Sequence, residues 1–226
     1  MASSSKLNTS QNAKLTSGLV GEWSFNGADI SGTTATDRSG SGNNGTLTNG
    51  PVVTNGKIGQ ALSFDGVNDY VSVGDVSALK FTSGDFSFGL WLYSTGTLGL
   101  PFGKGNTGVF SPYLLYPSAG TLKIAIGNSA GSAWLTTTDL SATITNNVWT
   151  HIFFTKAGAV IRLYKNGVQT NVFTMASATI LNNTLPVRIG ADSNAGSPWN
   201  GSIDDVRIYN RALSATEVKR LYNMGR

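Results

Sequence analysis

A glycine-rich loop holds the first residues whose types and spacing suggest chemistry. Residues 37–45 (DRSGSGNNG) include three glycines, two asparagines and one aspartate, and no apolar side chain. Glycine accepts positive φ and lets carbonyl oxygens turn inward, while Asp37 supplies a carboxylate and Asn43 an amide oxygen. Calcium binds six to eight oxygens of these kinds. The loop therefore predicts either a structural calcium site or an ordinary polar turn.

A second carboxylate for this site is expected from the last predicted strand, residues 203–209 (IDDVRIY). Side chains alternate between the two faces of a strand, so Asp204 is predicted to share the core face with Val206. A carboxylate there is costly unless it is paired or bound to a metal. In the alternative, Asp204 caps backbone amides of the glycine-rich loop or pairs with Arg38 or Arg211. The candidate calcium ligands are Asp37, Asn43 and Asp204.

Acidic residues are too few and too scattered to form a catalytic pair. Glycoside hydrolysis needs two carboxyl groups that flank the scissile bond, and the chain has only two glutamates, Glu22 and Glu217. Asp204 and Asp205 are adjacent in a strand, so their side chains diverge. The single histidine, His151, lies in an alternating apolar strand, and no phosphate-binding or dinucleotide motif occurs. The sequence predicts a protein that is not an enzyme, with a glycoside hydrolase as the less favoured alternative.

Aromatic side chains provide a second kind of candidate site, because rings, amides and carboxylates on a preformed surface bind sugars. Three of the five tryptophans, Trp23, Trp91 and Trp149, lie within strand patterns and are expected in the core. Residues 96–119 are the least regular region and are predicted to form binding loops on a rigid scaffold. The alternative is that its aromatic residues only cover one end of the fold. The candidate ligand-binding surface consists of Tyr113, Tyr116 and Trp134, with Asn128 and Asn106 as polar partners.

The composition excludes several classes of partner. The chain of 226 residues has no cysteine, and only 12% of its residues are charged, about half of the usual share of roughly 25%. The net charge is +4, but the 16 lysines and arginines are scattered, unlike the clustered surface that binds nucleic acid. No apolar run reaches the length of a membrane span. Residues 1–17 are polar, lack the apolar centre of a signal peptide, and are expected to be a flexible segment or a cloning scar.

Alternating apolar residues predict a series of short strands. The segment 86–93 (FSFGLWLY) is apolar almost throughout, which is typical of a central strand buried on both faces. An Asn-Gly pair within residues 165–168 predicts a hairpin. Short strands separated by turn residues favour an antiparallel β-sandwich or jelly roll. The predicted strands are residues 19–25, 61–64, 70–73, 86–93, 121–126, 132–137, 149–155, 159–164, 187–189 and 203–209.

One short helix is predicted near the C-terminus. Ser214 and Glu217 have the spacing of a capping box, in which each side chain bonds the backbone of the other residue. Leu213 and Val218 stand at the two positions of a hydrophobic staple. The helix is expected to run to about Asn223 and to pack on the sandwich through its apolar face.

Several stretches occur in an order that is similar to one known family. They are residues 19–26 (LVGEWSFN), 37–45 (DRSGSGNNG), 56–66 (GKIGQALSFDG), 69–71 (DYV), 149–151 (WTH), 163–167 (LYKNG) and 201–214 (GSIDDVRIYNRALS). Together they resemble the laminin-G-like jelly rolls of the concanavalin A-like lectin/glucanase superfamily. The resemblance implies a structural calcium at the rim near the opening loop, although this chain has Asn26 where the family usually has an acid. The Glu-x-Asp-x-x-Glu strand of the superfamily's glucanases does not occur.

The resemblance and the composition lead to one expected function and one alternative. Residues 18–226 are expected to form a single all-β domain, an antiparallel β-sandwich with one short C-terminal helix. We expect a non-catalytic module that binds a glycan or a cell-surface polysaccharide and belongs to an extracellular or cell-surface multidomain protein. The alternative is a protein-interaction, adhesion or assembly domain of a surface protein. No nucleic-acid partner and no membrane span are expected.

Overall fold

The protein forms a two-layered sandwich of antiparallel sheets in the computed structural model, which describes residues 15–136 and 140–226. Sheet A has the order β15-β14-β13-β8-β17-β6-β5, and β1 pairs separately with β17. Its strands are β1 (Leu19–Trp23), β5 (Val52–Asn55), β6 (Gln60–Asp65), β8 (Phe86–Ser94), β13 (Thr150–Ala157), β14 (Val160–Lys165), β15 (Val168–Thr174) and β17 (Asn200–Tyr209).

Sheet B lies opposite sheet A and has the order β12-β11-β10-β9-β16-β7-β4-β3-β2. Its strands are β2 (Ile30–Ser31), β3 (Thr34–Ala35), β4 (Gly45–Thr48), β7 (Tyr70–Gly74), β9 (Phe102–Lys104), β10 (Tyr113–Ser118), β11 (Thr121–Ala125), β12 (Ser141–Thr143) and β16 (Val187–Ile189). Short 3-10 turns occur at Gly27–Asp29 and Ser77–Leu79. The predicted all-β sandwich is therefore confirmed.

The two sheets enclose one hydrophobic core. Phe88, Leu90 and Leu92 of β8 point into it, and every residue of that strand except Tyr93 is buried. From the opposite sheet, the ring of Phe102 lies 4.6 Å from that of Phe88. Each such side chain contributes about 1.5–3 kcal/mol when fully buried. The prediction of a central strand buried on both faces is confirmed.

Turn chemistry fixes the hairpin between β14 and β15. Asn166 and Gly167 both have positive φ, 53° and 72°. This is the conformation of a two-residue type I′ turn, whose twist matches that of the strands it joins. The Oδ1 atom of Asn166 also accepts a hydrogen bond from the backbone N–H of His151 at 3.0 Å. The hairpin predicted from the Asn-Gly pair is confirmed.

The C-terminal helix α1 (Ala215–Met224) begins where the capping box predicts. The Ser214 side chain accepts from the Glu217 N–H at 3.3 Å, and the Glu217 carboxylate accepts from the Ser214 N–H at 2.9 Å. Val218 and Leu221 are buried against the outer face of sheet A. Leu15 is buried in the same cluster, and the rest of the predicted flexible segment, residues 1–14, lies outside the described residues. Among the described residues, no helix has the length and apolar character needed to cross a membrane.

Six strands, β2, β3, β4, β5, β12 and β15, are absent from the predicted list, and three further features differ from the sequence prediction. The region 96–119 contains β9 and β10, which pair with each other in sheet B. The predicted strand 132–137 does not form over its described residues, where Trp134 makes only an isolated bridge to Gly127. Trp149 is half-buried rather than in the core, because it precedes the first residue of β13. Trp23 and Trp91 are 0% and 1% exposed, as predicted.

Candidate functional site

Asp37 braces the glycine-rich loop from inside. Its Oδ1 atom accepts hydrogen bonds from the N–H groups of Glu22 and Ser39, both at 2.9 Å. Its Oδ2 atom accepts from the Ser39 hydroxyl at 2.8 Å and from the Asn43 N–H at 2.9 Å. A carboxylate has about four lone-pair sites, and these four bonds fill them. Asp37 thereby fixes the loop to β1.

Asn43 ties the other end of the loop to the same strand. Its Nδ2 atom donates to the Val20 carbonyl at 2.7 Å, and its own carbonyl accepts from the Trp23 indole N–H at 3.1 Å. Asn43 is almost fully buried. The predicted loop ligands thus act as anchors between the loop, β1 and a core tryptophan.

Asp204 does not lie on the core face where the alternation predicted it. Asp205 has a φ of 47°, and the register of β17 against β8 shifts between Asp204 and Arg207. This β-bulge reverses the alternation, so Ile203 and Val206 both point into the core. Asp204 lies opposite Trp91 instead. The sequence prediction was wrong because a bulge leaves no mark in the apolar pattern.

The Asp204 carboxylate is fully buried beneath a second loop. Its Oδ2 atom accepts from the N–H groups of Lys57 and Ile58 at 2.8 and 2.7 Å. Its Oδ1 atom has no hydrogen-bond partner among the described residues. Burial raises the pKa of this carboxyl to about 7. The alternative prediction, that Asp204 caps amides of the glycine-rich loop, was wrong in the loop it named, because the bonded amides belong to the loop that follows β5.

The three predicted ligands do not fit a calcium ion held jointly. Both oxygens of Asp37 are occupied by loop donors, and the amide of Asn43 donates to Val20. Only Asp204 keeps a carboxylate oxygen without a partner among the described residues. In the same part of the chain, no three His, Cys, Asp or Glu side chains are grouped as metal ligands. Calcium therefore stays a prediction, to be tested by measurement.

Glu22 and Asp205 come closest to the paired carboxylates of a catalytic site, and both are bound by the guanidinium of Arg207. Its Nη2 atom lies 2.6 Å from Glu22 Oε1, and its Nε atom lies 2.9 Å from Asp205 Oδ1. Burial raises the pKa of the Glu22 carboxyl. Both carboxylates share one guanidinium, so neither is placed as a free acid or nucleophile beside an open bond. Sequence reasoning missed this pairing, since Glu22 and Arg207 meet only when β1 pairs with β17.

Tyr113 is a core residue and is removed from the candidate ligand surface. Its side chain is 0% exposed, and its hydroxyl donates to the Leu79 carbonyl at 2.8 Å. The ring lies 5.5 Å from that of Phe86. Burial raises the pKa of its hydroxyl. The prediction failed because β10 turns alternate side chains inward, and Tyr113 is one of them.

Tyr116 and Asn128 are held by their own surroundings. Tyr116 is half-buried on the outer face of sheet B against Leu114 and its neighbours. The Oδ1 atom of Asn128 accepts from the N–H groups of Ser132 and Ala133 at 2.9 and 3.2 Å. Asn128 therefore shapes the loop 128–133 and has little capacity left for a ligand.

The exposed Trp134 and the half-buried Phe110 form an aromatic pair on two adjacent loops. Their ring centroids are 5.3 Å apart at 68°, an edge-to-face arrangement. Trp134 is 37% exposed and Val109 is 52% exposed. The loops are joined by a hydrogen bond from the Gly127 N–H to the Ser111 carbonyl at 2.8 Å. We call Val109, Phe110 and Trp134 the loop patch.

Asn106 closes one of these loops. Its N–H and carbonyl both bond the Ser111 hydroxyl, each at 3.1 Å. Its Oδ1 atom has no partner among the described residues. Residues 105–111 and 127–136 contain no charged side chain. The loop patch is therefore an uncharged surface with exposed rings beside an unpaired amide oxygen.

Comparisons with known proteins identify a matching family and similar structures. A family model described as the concanavalin A-like lectin/glucanases superfamily, Laminin G 3, matches residues 65–219. Adhesion G-protein coupled receptor V1 from Danio rerio is 24% identical over 83 residues, which are 36% of this chain and 1% of the receptor. The chain thus spans a very small part of that relative.

Solved structures share the whole architecture at low identity. Domain 4 of AbnA, a GH43 extracellular arabinanase from Geobacillus stearothermophilus in complex with arabinotriose, has a TM-score of 0.71 at 22% identity, covering 90% of this chain and 98% of that one. The binding domain of Paraclostridial Mosquitocidal Protein 1 has a TM-score of 0.71 at 20% identity, with 92% of this chain and 52% of that chain covered.

A third structure is the botulinum neurotoxin serotype D ligand binding domain in complex with N-acetylneuraminic acid. Its TM-score is 0.67 at 16% identity, and the match covers 94% of this chain and 52% of that chain. This chain therefore spans about half the length of the two toxin fragments. At these identities the similarity shows the fold alone. Because the family model covers well over half of its residues, this chain belongs to the concanavalin A-like lectin/glucanases superfamily.

Proposed function

We propose that this domain is a non-catalytic carbohydrate-binding module and that the loop patch contacts the glycan. The single observation that carries the proposal is the exposed ring of Trp134, held edge-to-face by the half-buried ring of Phe110 on uncharged loops. Large aromatic residues usually contribute most when buried, so their exposure on a rigid sandwich marks a contact surface. The apolar faces of sugar rings pack on such aromatic planes.

Asn106 gives the loop patch a polar partner for a sugar. Its Oδ1 atom is an acceptor without a donor among the described residues. An unpaired buried acceptor costs free energy of about 1–3 kcal/mol. This atom is buried in the free protein, so a sugar hydroxyl would satisfy it only after the loop shifts to expose it. Trp134 and Asn106 are the predicted ligand residues that this proposal retains.

The absence of catalysis is part of the proposal. Arg207 ties up Glu22 and Asp205, and Asp204 is fully buried beneath its loop. The fold relatives support the ligand class, since two of them are described in complex with arabinotriose and with N-acetylneuraminic acid.

The proposed setting is extracellular or at a cell surface, within a longer protein. One similar structure belongs to an extracellular arabinanase and one relative is an adhesion receptor. The adhesion receptor also favours the second candidate function, a protein-interaction or adhesion domain. The two functions differ in what the surface recognises, a glycan or a protein.

A glycan array followed by tryptophan fluorescence titration tests the proposal. We compare the wild type, Trp134→Ala and the matched control Val172→Ala, which removes a side chain that is 59% exposed on the edge strand β15. We expect glycan binding by the wild type and the control, and at least a tenfold loss of affinity at the loop patch in Trp134→Ala. Equal binding by all three proteins would remove the loop patch from the site. No glycan binding, together with self-association or capture of a surface protein, would favour the adhesion domain.

A further inference from the structure

The outer face of sheet A carries a row of residues that no other element within residues 15–136 and 140–226 fully covers. Ser202 lies directly opposite Ser63 on one side and Tyr93 on the other. The register of β13 against β8 continues the row to Trp149, since Thr150 pairs with Leu92. Leu92 and Ile203 point into the core, so their strand neighbours point outward. We call Ser63, Ser202, Tyr93 and Trp149 the sheet-face strip.

The next row on the same face is buried by other elements. Trp91 there is 1% exposed, because Tyr222 of α1 stacks on it at 5.5 Å and the Lys57 ammonium lies 5.3 Å from its ring. His151 and Asp204, its neighbours across the sheet, are also buried. The helix and the loop after β5 thus end one row short of the sheet-face strip, whose members remain half-buried.

Two aromatic rings form one end of the strip. The ring centroids of Tyr93 and Trp149 are 5.5 Å apart, and the ring planes are tilted by 50°. Tyr93 lies within β8, and Trp149 directly precedes Thr150, the first residue of β13, so both rings lie beside paired strands. Both rings are only partly covered. They form a rigid aromatic platform of the kind that binds a sugar ring.

Polar groups without protein partners form the other end. The hydroxyl groups of Ser63 and Ser202 make no hydrogen bond to any described residue. Two residues further along β17, Asn200 lies opposite Asp65. The Asn200 Oδ1 atom accepts from the Thr95 hydroxyl at 2.7 Å, which leaves its NH₂ group as a donor without a hydrogen-bond partner among the described residues.

Asp65 adds a charged acceptor to this polar end. Its Oδ1 atom accepts from the Val67 N–H at 2.8 Å, and backbone hydrogen bonds, that of Val67 first, lower its pKa. The carboxylate is therefore ionised at neutral pH. It can accept from sugar hydroxyls, and it repels a carboxylate-bearing sugar.

We infer that the sheet-face strip is a second carbohydrate-binding surface, separate from the loop patch, and that it takes an uncharged oligosaccharide. The strip crosses four strands, about 14 Å at a spacing of about 4.8 Å, which is wider than a single sugar ring. One sugar stacks on Tyr93 and Trp149, and the next sugars bond the hydroxyls of Ser63 and Ser202 and the amide of Asn200. The inference rests on the proposed function for its ligand class and not for its location.

Titration calorimetry with neutral oligosaccharides tests the inference. The probes are oligomers of arabinose, xylose, glucose and galactose, with uronic-acid and sialylated oligomers as acidic counterparts. The proteins are the wild type, Trp149→Ala, Ser202→Asp and Trp134→Ala. Ser202→Asp places a charge within the strip without truncating a ring, so it remains informative if Trp149→Ala is unstable. Each protein's unfolding midpoint is measured alongside.

We expect two oligosaccharides per wild-type chain and one per chain for each of the three variants, with acidic oligomers excluded from the strip. Only the wild type should cross-link and precipitate a neutral polysaccharide, because bivalent contact needs both surfaces. A wild-type stoichiometry retained by folded Trp149→Ala and Ser202→Asp would overturn the inference and leave the loop patch standing. Loss of all binding in those two variants, with Trp134→Ala unaffected, would support the strip and remove the loop patch. No binding of any sugar would overturn both.

Discussion

Trp134 and Trp149 are both partly exposed, but different forces position them. Trp134 stands on a loop that bridges Gly127 at a single point, and its partner Phe110 lies on another loop. Trp149 stands at the start of β13 and contacts Tyr93 of the adjacent strand. The loop patch is positioned by side-chain-to-backbone hydrogen bonds such as those of Asn128. The sheet-face strip is positioned by strand register.

This difference bears on how each surface responds to change. A register is shared by several strands, so a local disturbance of the sheet moves every residue of the strip together. A loop held by a few hydrogen bonds tolerates change within it at little cost to the remaining fold. The sheet-face strip is therefore expected to be the more rigid surface and the more costly one to alter.

Alanine substitution of one glycine beneath each surface gives the largest expected difference. Gly201 has a φ of 133°, and a Cβ there would lie 2.0 Å from the Tyr93 carbonyl oxygen. Gly131 has a φ of 65°, and a Cβ there would meet only Leu181 Cδ1 at 3.5 Å. We expect Gly201→Ala to lower the free energy of unfolding by about 3 kcal/mol or more, and Gly131→Ala by about 1–2 kcal/mol. Urea unfolding measures both. Similar losses would show that the strip is no more rigid than the loops.

Truncation of the two tryptophans gives an intermediate effect. Trp149→Ala removes a half-buried ring packed on Tyr93, and we expect a loss of about 1–3 kcal/mol, below the 3–5 kcal/mol typical of fully buried aromatic residues. Trp134→Ala removes a ring that is 37% exposed, with an expected loss below about 1 kcal/mol. Thermal unfolding of both variants checks the order. A larger loss for Trp134→Ala would mean that the loop patch is structural.

A pH series separates the two regions in another way. Asp204 lies one row below the strip and carries a pKa of about 7 against an ordinary 3.8, whereas residues 105–111 and 127–136 have no titratable side chain. The folded protein therefore holds a proton that the unfolded chain releases near pH 4. Stability from this group is present at low pH and is lost as the pH rises through about 7. Relative to Asp204→Asn, the wild type should become steadily less stable between pH 4 and pH 7.

His151 is a second buried group that titrates in this pH range, and both proteins contain it. Burial lowers its pKa to about 3, so its contribution has the opposite sign: stability is lost as the pH falls below about 6.5. Because that contribution is common to wild type and variant, it cancels in their difference. If the difference in free energy of unfolding between the wild type and Asp204→Asn stays constant from pH 4 to pH 8, the raised pKa of Asp204 is contradicted.

Calcium gives the smallest expected effect. The loop 37–45 is already braced by the four hydrogen bonds of Asp37, so excess calcium or chelator should leave the thermal midpoint nearly unchanged. Scanning calorimetry of the wild type and Asp204→Ala measures this. A wild-type midpoint that rises with calcium, and fails to rise in Asp204→Ala, would restore the predicted site through the linkage of binding to stability.

Local signals in the sequence were sufficient for several elements. The Ser214 and Glu217 pair predicted the start of α1, because both bonds of a capping box lie within four consecutive residues. The Asn-Gly pair predicted the hairpin after β14, since only a few residue types accept its positive φ values. The superfamily could be identified for the same reason, as its motifs are turns and caps repeated in a fixed order.

Local signals did not predict which face of a strand a residue occupies, or whether another element covers that residue. Asp204 was assigned to the core face because a bulge at Asp205 leaves the apolar alternation of the strand apparently intact. Tyr113 was assigned to a ligand surface because β10 is too short and too polar at its end to give a clear period of two. Both errors concern direction rather than element type.

The sequence by itself determined the fold class, the hairpin, the helix and the family, since alternation, turn residues, caps and motifs can each be recognised within a few consecutive residues. Only the tertiary structure decided which outward-facing residues are covered. Trp91 and Tyr93 are outward-facing neighbours on one strand, yet only Trp91 is buried, because Tyr222, more than a hundred residues later, stacks on it. Burial is a property of packing between distant segments, and no local pattern encodes where a helix ends on a sheet.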